Sequence, residues 1–277
     1  MMASGRKKTR FTTKSRKKKS SSLPYVIGAV VALGLLGAAG WWMNRTSGEM
    51  AVDAQSLCPV ATGPVAETVI LFDLTDPMGP AQTNQLLQYL EREFSDAAIG
   101  TQFTLGVVSD NPEDWGATPP LCKPHSDKDV SSLTQNVPLV KQRYEERFLA
   151  PLQANLARMI SASGADSSPI MESLQALISD TPGFLTFTGP RKVILVSDLL
   201  QHSDAMSFYR GDDWQRFSDS PAFQRLGRTL DGVEVEIFAV PRASDKIKDP
   251  AAVEDFWLRY FDLQGAQLPK LQSLGDL

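Results

Sequence analysis

One uninterrupted apolar run near the amino terminus constrains this chain more than any other feature. From Tyr25 to Met43, 19 consecutive residues carry no charged side chain. At about 1.5 Å per helical residue, such a run is roughly 28 Å long, which matches the hydrocarbon core of a bilayer. Trp41 and Trp42 stand at its far end, where aromatic rings favour the membrane interface. The run therefore predicts one transmembrane helix over residues 24–43.

The charge on the two sides of this run is opposite. Residues 1–23 carry nine Lys and Arg and no Asp or Glu, whereas residues beyond 44 carry 19 basic and 32 acidic side chains, a net charge of −13. Because an excess of Lys and Arg marks the cytoplasmic side, we expect a basic cytoplasmic tail, a signal-anchor helix and a domain outside the cytoplasm. In a bacterium that domain is periplasmic. The small residues Gly37 to Gly40 leave a cleaved signal peptide as the alternative.

The rest of the chain divides by composition. Residues 44–65 are polar and contain Gly and Pro, which predicts a linker, and residues 66–270 have the pattern of a folded domain, followed by a tail over residues 271–277. Cys58 and Cys122 are the two cysteines of the chain. In an oxidising compartment, an even pair favours a disulfide between them, although two free thiols stay open as an alternative.

Apolar runs rich in strand formers alternate with helical patterns beyond residue 65. The predicted strands are Thr68–Phe72, Phe103–Val108, Lys192–Val196 and Val233–Val240. The predicted helices are Gln82–Phe94, Val137–Ile160, Pro169–Ile178, Phe217–Leu230 and Ala251–Leu263, and Pro151 should kink or split the second of them. This alternation predicts an α/β fold: a Rossmann-like, doubly wound and mostly parallel sheet, flanked by helices.

Short oxygen-bearing side chains follow the predicted strands or precede a predicted helix. They are Asp73, Thr75 and Asp76 after the first strand, Ser167 and Ser168 before Pro169, and Ser197 and Asp198 after the third strand. In a parallel sheet, ligands bind at the carboxyl ends of the strands. Hydroxyl and carboxylate oxygens are the ligands that Mg²⁺ prefers. Ordinary turn and cap residues have the same composition, which is the structural alternative.

This ordered set resembles the von Willebrand factor A domain and its metal-ion-dependent adhesion site. Asp73 and Thr75 match the first two positions of the family's Asp-x-Ser-x-Ser loop, Ser168-Pro169 stands where the family has Thr-Pro, and Asp198 matches its later Asp. The sequence departs at Pro77, which replaces the second Ser and has no side-chain oxygen, although Asp76 is a possible substitute.

The resemblance implies a membrane-tethered domain that binds another protein as a scaffold or adaptor and is not an enzyme. It implies candidate partner or metal residues at Asp73, Thr75, Asp76, Ser168 and Asp198. Because Pro77 removes one ligand, we expect a degenerate adhesion site with no cofactor, or with weakly bound Mg²⁺ at Asp73, Thr75, Ser168 and Asp198. We expect no nucleic acid on the outer domain, and contact with the membrane through Tyr25–Met43.

Other chemistry has less support in the sequence. The loop after the first strand also resembles haloacid dehalogenase-like phosphatases, but Thr75 replaces their second acid, so a divalent-ion-dependent hydrolase using Asp73 is the alternative function. Cys122-x-x-His125 is half of a zinc pattern without its other half. Phe256-Trp257 and Tyr260-Phe261 have helical spacing and predict a packing face or, alternatively, a docking surface for the partner.

Overall fold

The computed structural model of this protein describes residues 31–41, 51–132, 136–161, 165–227, 229–241 and 249–275. The chain divides into two compact units, Met1–Gly48 and Glu49–Leu277. In the first unit, residues 31–41 are helical. Within the described ranges, no helix is long and apolar enough to cross a membrane. Both ends of the predicted span, residues 24–30 and 42–43, lie outside those ranges.

The second unit is built on a six-stranded, mostly parallel sheet flanked by helices, which confirms the predicted α/β class. Its strands lie side by side in the order β3-β2-β1-β4-β5-β6, and only β2 and β3 are antiparallel. The strands are β1 Ala66–Phe72, β2 Thr101–Val107, β3 Leu121–Cys122, β4 Arg191–Ser197, β5 Glu234–Ala239 and β6 Lys270–Ser273.

Helices cover both faces of this sheet. They are α1 Pro80–Asp96, α2 Val137–Tyr144, α3 Ala150–Ser161, α4 Ile170–Asp180, α5 Trp214–Ser218, α6 Pro221–Arg225 and α7 Pro250–Leu263. Alternate residues of β1 enter two separate cores: Val69 and Leu71 pack with α4 and α7, whereas Ile70 and Phe72 pack with α1. A strand with a core on each side has to be apolar at every position, which explains the unbroken run in the sequence.

The long helix predicted over residues 137–160 is interrupted just before Pro151. A π-helical turn, Glu145–Leu149, separates α2 from α3, and the N–H of Ala150 bonds to the carbonyl of Glu145, five residues back. Proline has no N–H and its ring clashes with the carbonyl four residues earlier. The wider π-helical turn accommodates the missing N–H and the ring of Pro151, so the helical path continues.

The single helix predicted over residues 217–230 is wrong. The structure has two short helices here, α5 and α6, and Pro221 occupies the first turn of the second. Proline disfavours helical backbone in the residue before it, so Ser220 breaks the path.

Two strands have no clear signal in the sequence. β3 lies between the predicted strand Phe103–Val108 and the predicted helix that begins at Val137, where the sequence predicts neither, and β6 runs past the predicted domain end at residue 270. The tail predicted over residues 271–277 is therefore corrected: the sheet continues through Ser273, and Leu274 is buried in the core. The four residues of β6, KLQS, include a single apolar side chain, too few to show a strand pattern.

The predicted linker is in part a strap on the domain. From residue 51 onward it packs against the sheet, with Leu57 buried and the Ser56 carbonyl accepting a 2.7 Å bond from the N–H of Cys122. Cys58 and Cys122 form a disulfide with their Cα atoms 4.8 Å apart. Because Cys122 is used in this bond, it is not available for the half zinc pattern with His125.

Candidate functional site

The candidate site lies where the strand order reverses direction. From β1 the chain continues to β2 on one side, and β4 lies on the other side. In doubly wound sheets, the crevice at the carboxyl ends of such a strand pair is the usual binding place. The register pairs Phe72 with Val196. Asp73 and Ser197 therefore leave the two strands side by side, and the N–H of Asp73 bonds to the Val196 carbonyl at 2.8 Å.

The Asp73 carboxylate gathers hydroxyl groups from three separate segments of the chain. Oδ1 accepts from the Thr75 hydroxyl at 2.7 Å and from the Thr75 N–H at 3.2 Å. Oδ2 accepts from the hydroxyls of Ser168 at 3.0 Å and Ser197 at 2.7 Å. Asp73 is only 2% exposed. A buried carboxylate needs such donors to replace its lost hydration, so these four residues form one polar unit.

Backbone hydrogen bonds hold the Ser168 segment against both strand ends. The N–H of Ala165 donates to the Thr75 carbonyl at 3.3 Å. Ser168 and His202 exchange two backbone hydrogen bonds, at 2.9 and 2.8 Å. The loop before α4 is thus tied to the loop after β1 and to the loop after β4.

Asp198 is the second carboxyl group of the site. It is half-buried, and its Oδ1 accepts from the N–H of Leu200 at 2.9 Å. Burial, and next the charge of Asp73, raise the pKa of Asp198 to about 7. The carboxyl group therefore changes charge near neutral pH.

These residues open into a cavity of about 440 Å³. Its acidic lining residues are Asp76, Asp166 and Asp198, and the described lining includes no Lys or Arg. His202 and Tyr209 form another part of the wall, with their rings edge to face and 5.3 Å between centroids. Burial, followed by the charges of Asp198 and Asp73, raises the pKa of the Tyr209 hydroxyl. The cavity is therefore strongly acidic in character.

All five predicted site residues are found at this place. Asp73, Thr75 and Ser168 are in direct contact, whereas Asp76, on the exposed rim, and Asp198 line the same cavity.

Ser197 is among the oxygen-bearing residues that follow the predicted strands, but it is not one of the five candidate residues, although its hydroxyl ends a buried strand at the site. Sequence reasoning missed two further residues, His202 and Tyr209. His202 and Tyr209 lie in an irregular segment that gives no such indication.

The donor set fits a hard cation only in part. The four predicted metal residues offer two carboxylates, from Asp73 and Asp198, and two hydroxyls. Both hydroxyls, from Thr75 and Ser168, donate to Asp73, and Pro77 has no side-chain oxygen to offer. Across the described ranges, no group of three or more His, Cys, Asp and Glu is suited to hold a metal ion. Mg²⁺ demands near-octahedral oxygen coordination, so several of its ligands would have to be water.

The alternative docking surface on α7 is excluded. Phe256, Trp257, Tyr260 and Phe261 are all buried in the core between the sheet and α7. Their spacing therefore reflects packing, and the four side chains do not form an exposed surface in this structure.

No protein-family model matches this sequence, and no curated protein matches it. The chain is similar to solved structures of proximal thread matrix protein 1 from the mussel byssus (14% identity, TM-score 0.36, covering 76% of this chain and 42% of the mussel protein). It is also similar to the conserved hypothetical protein BatB from Bacteroides thetaiotaomicron (12%, 0.34, 76% and 92%). A third is a von Willebrand factor type A protein from Catenulispora acidiphila (12%, 0.32, 77% and 39%).

Proposed function

We propose that this chain is a membrane-tethered, von Willebrand factor A-like module that binds another protein at the strand-end cleft. The recognition face consists of Asp73, Thr75, Asp76, Ser168 and Asp198. One observation carries the proposal. The buried carboxylate of Asp73, at the point where the strand order reverses, accepts hydrogen bonds from hydroxyls of three chain segments and so holds them together. Loops at strand ends vary without disturbing a sheet, and they usually carry function.

The hydrogen bonds of the site favour binding over catalysis. A hydroxyl nucleophile needs an adjacent base that takes its proton. Here all three hydroxyls share one acidic acceptor, Asp73, and the Nδ1 of His202 is bonded to the Ser207 hydroxyl at 2.7 Å. The arrangement fixes the shape of the face rather than activating one group, as expected of a scaffold or adaptor.

The charge of the face indicates the chemistry of the partner. The chain beyond residue 44 has a net charge of −13. Three of its acids, Asp76, Asp166 and Asp198, lie in the cavity wall without a described Lys or Arg. A basic patch on the partner would be steered to this face, and binding would weaken as salt screens the attraction.

A crosslinking pull-down with the full chain tests this face. At about pH 8, where Asp198 is charged, Asp76→Asn combined with Asp198→Asn should lower capture of the crosslinked partner by about tenfold or more, because two carboxylates of the face lose their charge. Glu91→Gln combined with Asp96→Asn is the matched control, since both acids are exposed on the carboxyl-terminal half of α1, outside the cleft lining. Equal capture by the two double variants would rule out the proposed face.

Membrane tethering through Tyr25–Met43 is a separate part of the proposal. It rests on the length of the apolar run and on the opposite charges that flank it. In intact cells, with the outer membrane permeabilised where there is one, added protease should digest the chain beyond residue 44. Protection of that part from protease would invert the topology.

A divalent-ion-dependent hydrolase using Asp73 is the second candidate, and the raised pKa of Asp198 favours it. A carboxyl group with a pKa of about 7 is suited to general acid–base catalysis. The lack of a described Lys or Arg in the cavity lining counts against an anionic phosphate substrate. Hydrolysis of p-nitrophenyl phosphate with Mg²⁺, lost in Asp198→Asn, would support this enzyme over the binding module.

A further inference from the structure

The residue after Asp198 has an unusual backbone conformation. Leu199 has φ of 66°, and only one other described non-glycine residue, Leu57, has a positive φ. A branched side chain in this left-handed region is strained, and it persists only when the surroundings fix it. Because Leu199 follows Asp198 directly, its conformation sets the path of the loop that presents this carboxyl group.

Three hydrogen bonds hold Leu199 in place. Its N–H donates to the Ser197 hydroxyl at 2.8 Å, and its carbonyl accepts from the N–H of Gln201 at 3.0 Å. The same carbonyl accepts from the indole N–H of Trp257 at 2.9 Å. Two of these bonds are local to the turn. Of the three, only the bond from the indole comes from a distant element, the middle of α7.

Trp257 is suited to act as a rigid support. It is fully buried, and its ring packs against those of Tyr260 and Phe261, with centroids 5.4 and 6.0 Å away. A side chain locked in this way holds its N–H at a fixed point. A carbonyl bonded to such a donor resists movement, because losing the bond leaves the buried indole N–H without this acceptor and the Leu199 carbonyl with only its local bond from Gln201.

The turn is also joined to the rest of the site. The Ser197 hydroxyl that accepts from Leu199 donates in turn to Asp73 at 2.7 Å. The side-chain oxygen of Gln201 accepts from the N–H of Met171 at 2.9 Å, in the first turn of α4 after Ser168. A shift of the turn would therefore move both carboxyl groups relative to each other.

We propose that Trp257 is a positioning residue, whose indole N–H holds the strained Leu199 turn and thereby fixes Asp198 beside Asp73. Trp257 itself does not touch the cavity, since it is absent from its lining. The positioning role itself does not depend on the proposed function. Its consequence does rest on that function, namely that a fixed Asp198 contributes to recognition of the partner.

The test compares Trp257→Phe with Tyr260→Phe in the full chain. Trp257→Phe removes one buried hydrogen bond of α7 and Tyr260→Phe removes two. The Tyr260 hydroxyl donates to the Leu226 carbonyl at 2.6 Å and accepts from the side-chain amide of Gln175 at 3.0 Å, and both bonds lie away from the turn. Hydrogen exchange is followed by mass spectrometry in peptides covering residues 197–203. The reactivity of the Asp198 carboxyl group towards carbodiimide coupling is measured in parallel. In Trp257→Phe we expect about tenfold faster exchange at the turn and faster coupling, with neither change in Tyr260→Phe.

Equal exchange and coupling in the two variants would overturn the inference. A second comparison separates the positioning role from a general loss of stability in Trp257→Phe. Glycine adopts positive φ without strain, so in a Leu199→Gly background the same Trp257 change should alter the coupling rate of Asp198 much less. An undiminished effect in that background would also overturn the inference. Neither readout requires a partner, so its outcome is independent of the pull-down.

Discussion

β1 carries a buried carboxyl group at each end, and the two groups have different surroundings. Asp73 and Glu67 are each 2% exposed. Asp73, at the carboxyl end, accepts hydrogen bonds from three hydroxyls. Glu67, at the amino end, has one carboxyl oxygen without a hydrogen-bond partner among the described residues. Burial raises the pKa of Glu67 to about 7, although the charge of Arg191 acts in the opposite direction.

Burial of an acid does not by itself make a site. At the carboxyl end, three loops supply donors and leave a cavity open to solvent. The amino end is closed by structural contacts instead. There Lys192 lies 3.0 Å from Glu93 and 2.9 Å from Glu236, and the disulfide fastens the strap beside the first residues of β2. One end of the sheet therefore opens into an acidic cavity, and the other is closed by ion pairs and by the disulfide.

The largest effect is expected from Asp73→Ala. The change leaves the hydroxyls of Thr75, Ser168 and Ser197 without their acceptor in a buried place. At about 1–3 kcal/mol for an unsatisfied buried group, with some rescue by water, the free energy of unfolding should fall by about 3–5 kcal/mol. Urea denaturation of the full chain measures it. A loss below about 1 kcal/mol would show that the hydroxyls do not depend on Asp73.

The sequence predicts the carboxyl end of the sheet better than the amino end. Asp73, Thr75 and Asp198 follow predicted parallel strands, whose loops converge at one edge of a sheet, and the family resemblance adds Ser168, which precedes a predicted helix. Glu67 gave no such signal, because a Glu at the start of a strand is usually solvated, and its burial depends on the distant segments that cover it.

Other features depend on contacts that are remote in sequence. Leu87 fits the apolar face of α1 by spacing, yet it is 41% exposed because no element covers that position. β6 is paired with β5 although its own residues carry little strand pattern. The bond between Trp257 and Leu199 joins residues 58 positions apart. Periodicity reports on local structure, and it therefore misses each of these.

Removal of the disulfide should have the next largest effect, and it acts on the amino end. The bond closes a loop with a sequence separation of 64 residues. Replacing both Cys58 and Cys122 by Ser should lower the free energy of unfolding by about 2–4 kcal/mol, since the unfolded chain gains freedom. Mass spectrometry after alkylation without reductant should find neither thiol labelled in the native protein. Two alkylated cysteines would contradict the bond.

A smaller and pH-dependent effect is expected from Glu67→Gln. The folded pKa of Glu67 is about 7, above its usual value of 4.5. Between these values the folded state keeps a proton that the unfolded state loses. Stability therefore falls as pH rises from about 4.5 to 7 and changes no further above that range. The Gln variant should lack this fall, which amounts to about 2–3 kcal/mol, and the difference between the two proteins should vanish at pH 4. Parallel curves across the range would place the Glu67 pKa near its ordinary value.

The smallest effect is expected from the addition of Mg²⁺. Weak binding would distinguish the site at the carboxyl end of the sheet from a complete metal site. With Pro77 in place of an oxygen ligand, we expect a dissociation constant of about 1 mM or weaker. In 2 mM Mg²⁺ such binding would stabilise the fold by about 0.7 kcal/mol at most. Calorimetry and thermal denaturation measure the two quantities.

A gain of binding gives the sharper form of this last prediction. Pro77 is exposed, so Pro77→Ser adds a hydroxyl at the position of the missing ligand without disturbing the core. This variant should bind Mg²⁺ at least tenfold more tightly, and the gain should disappear when Asp73→Asn is added, since a hard cation prefers the charged carboxylate. Tight, stoichiometric binding by the unchanged protein, lost in Asp73→Ala, would overturn the prediction. It would also favour the hydrolase, because a metal would then hold Asp73 in the role of a ligand rather than as the acceptor of three hydroxyls.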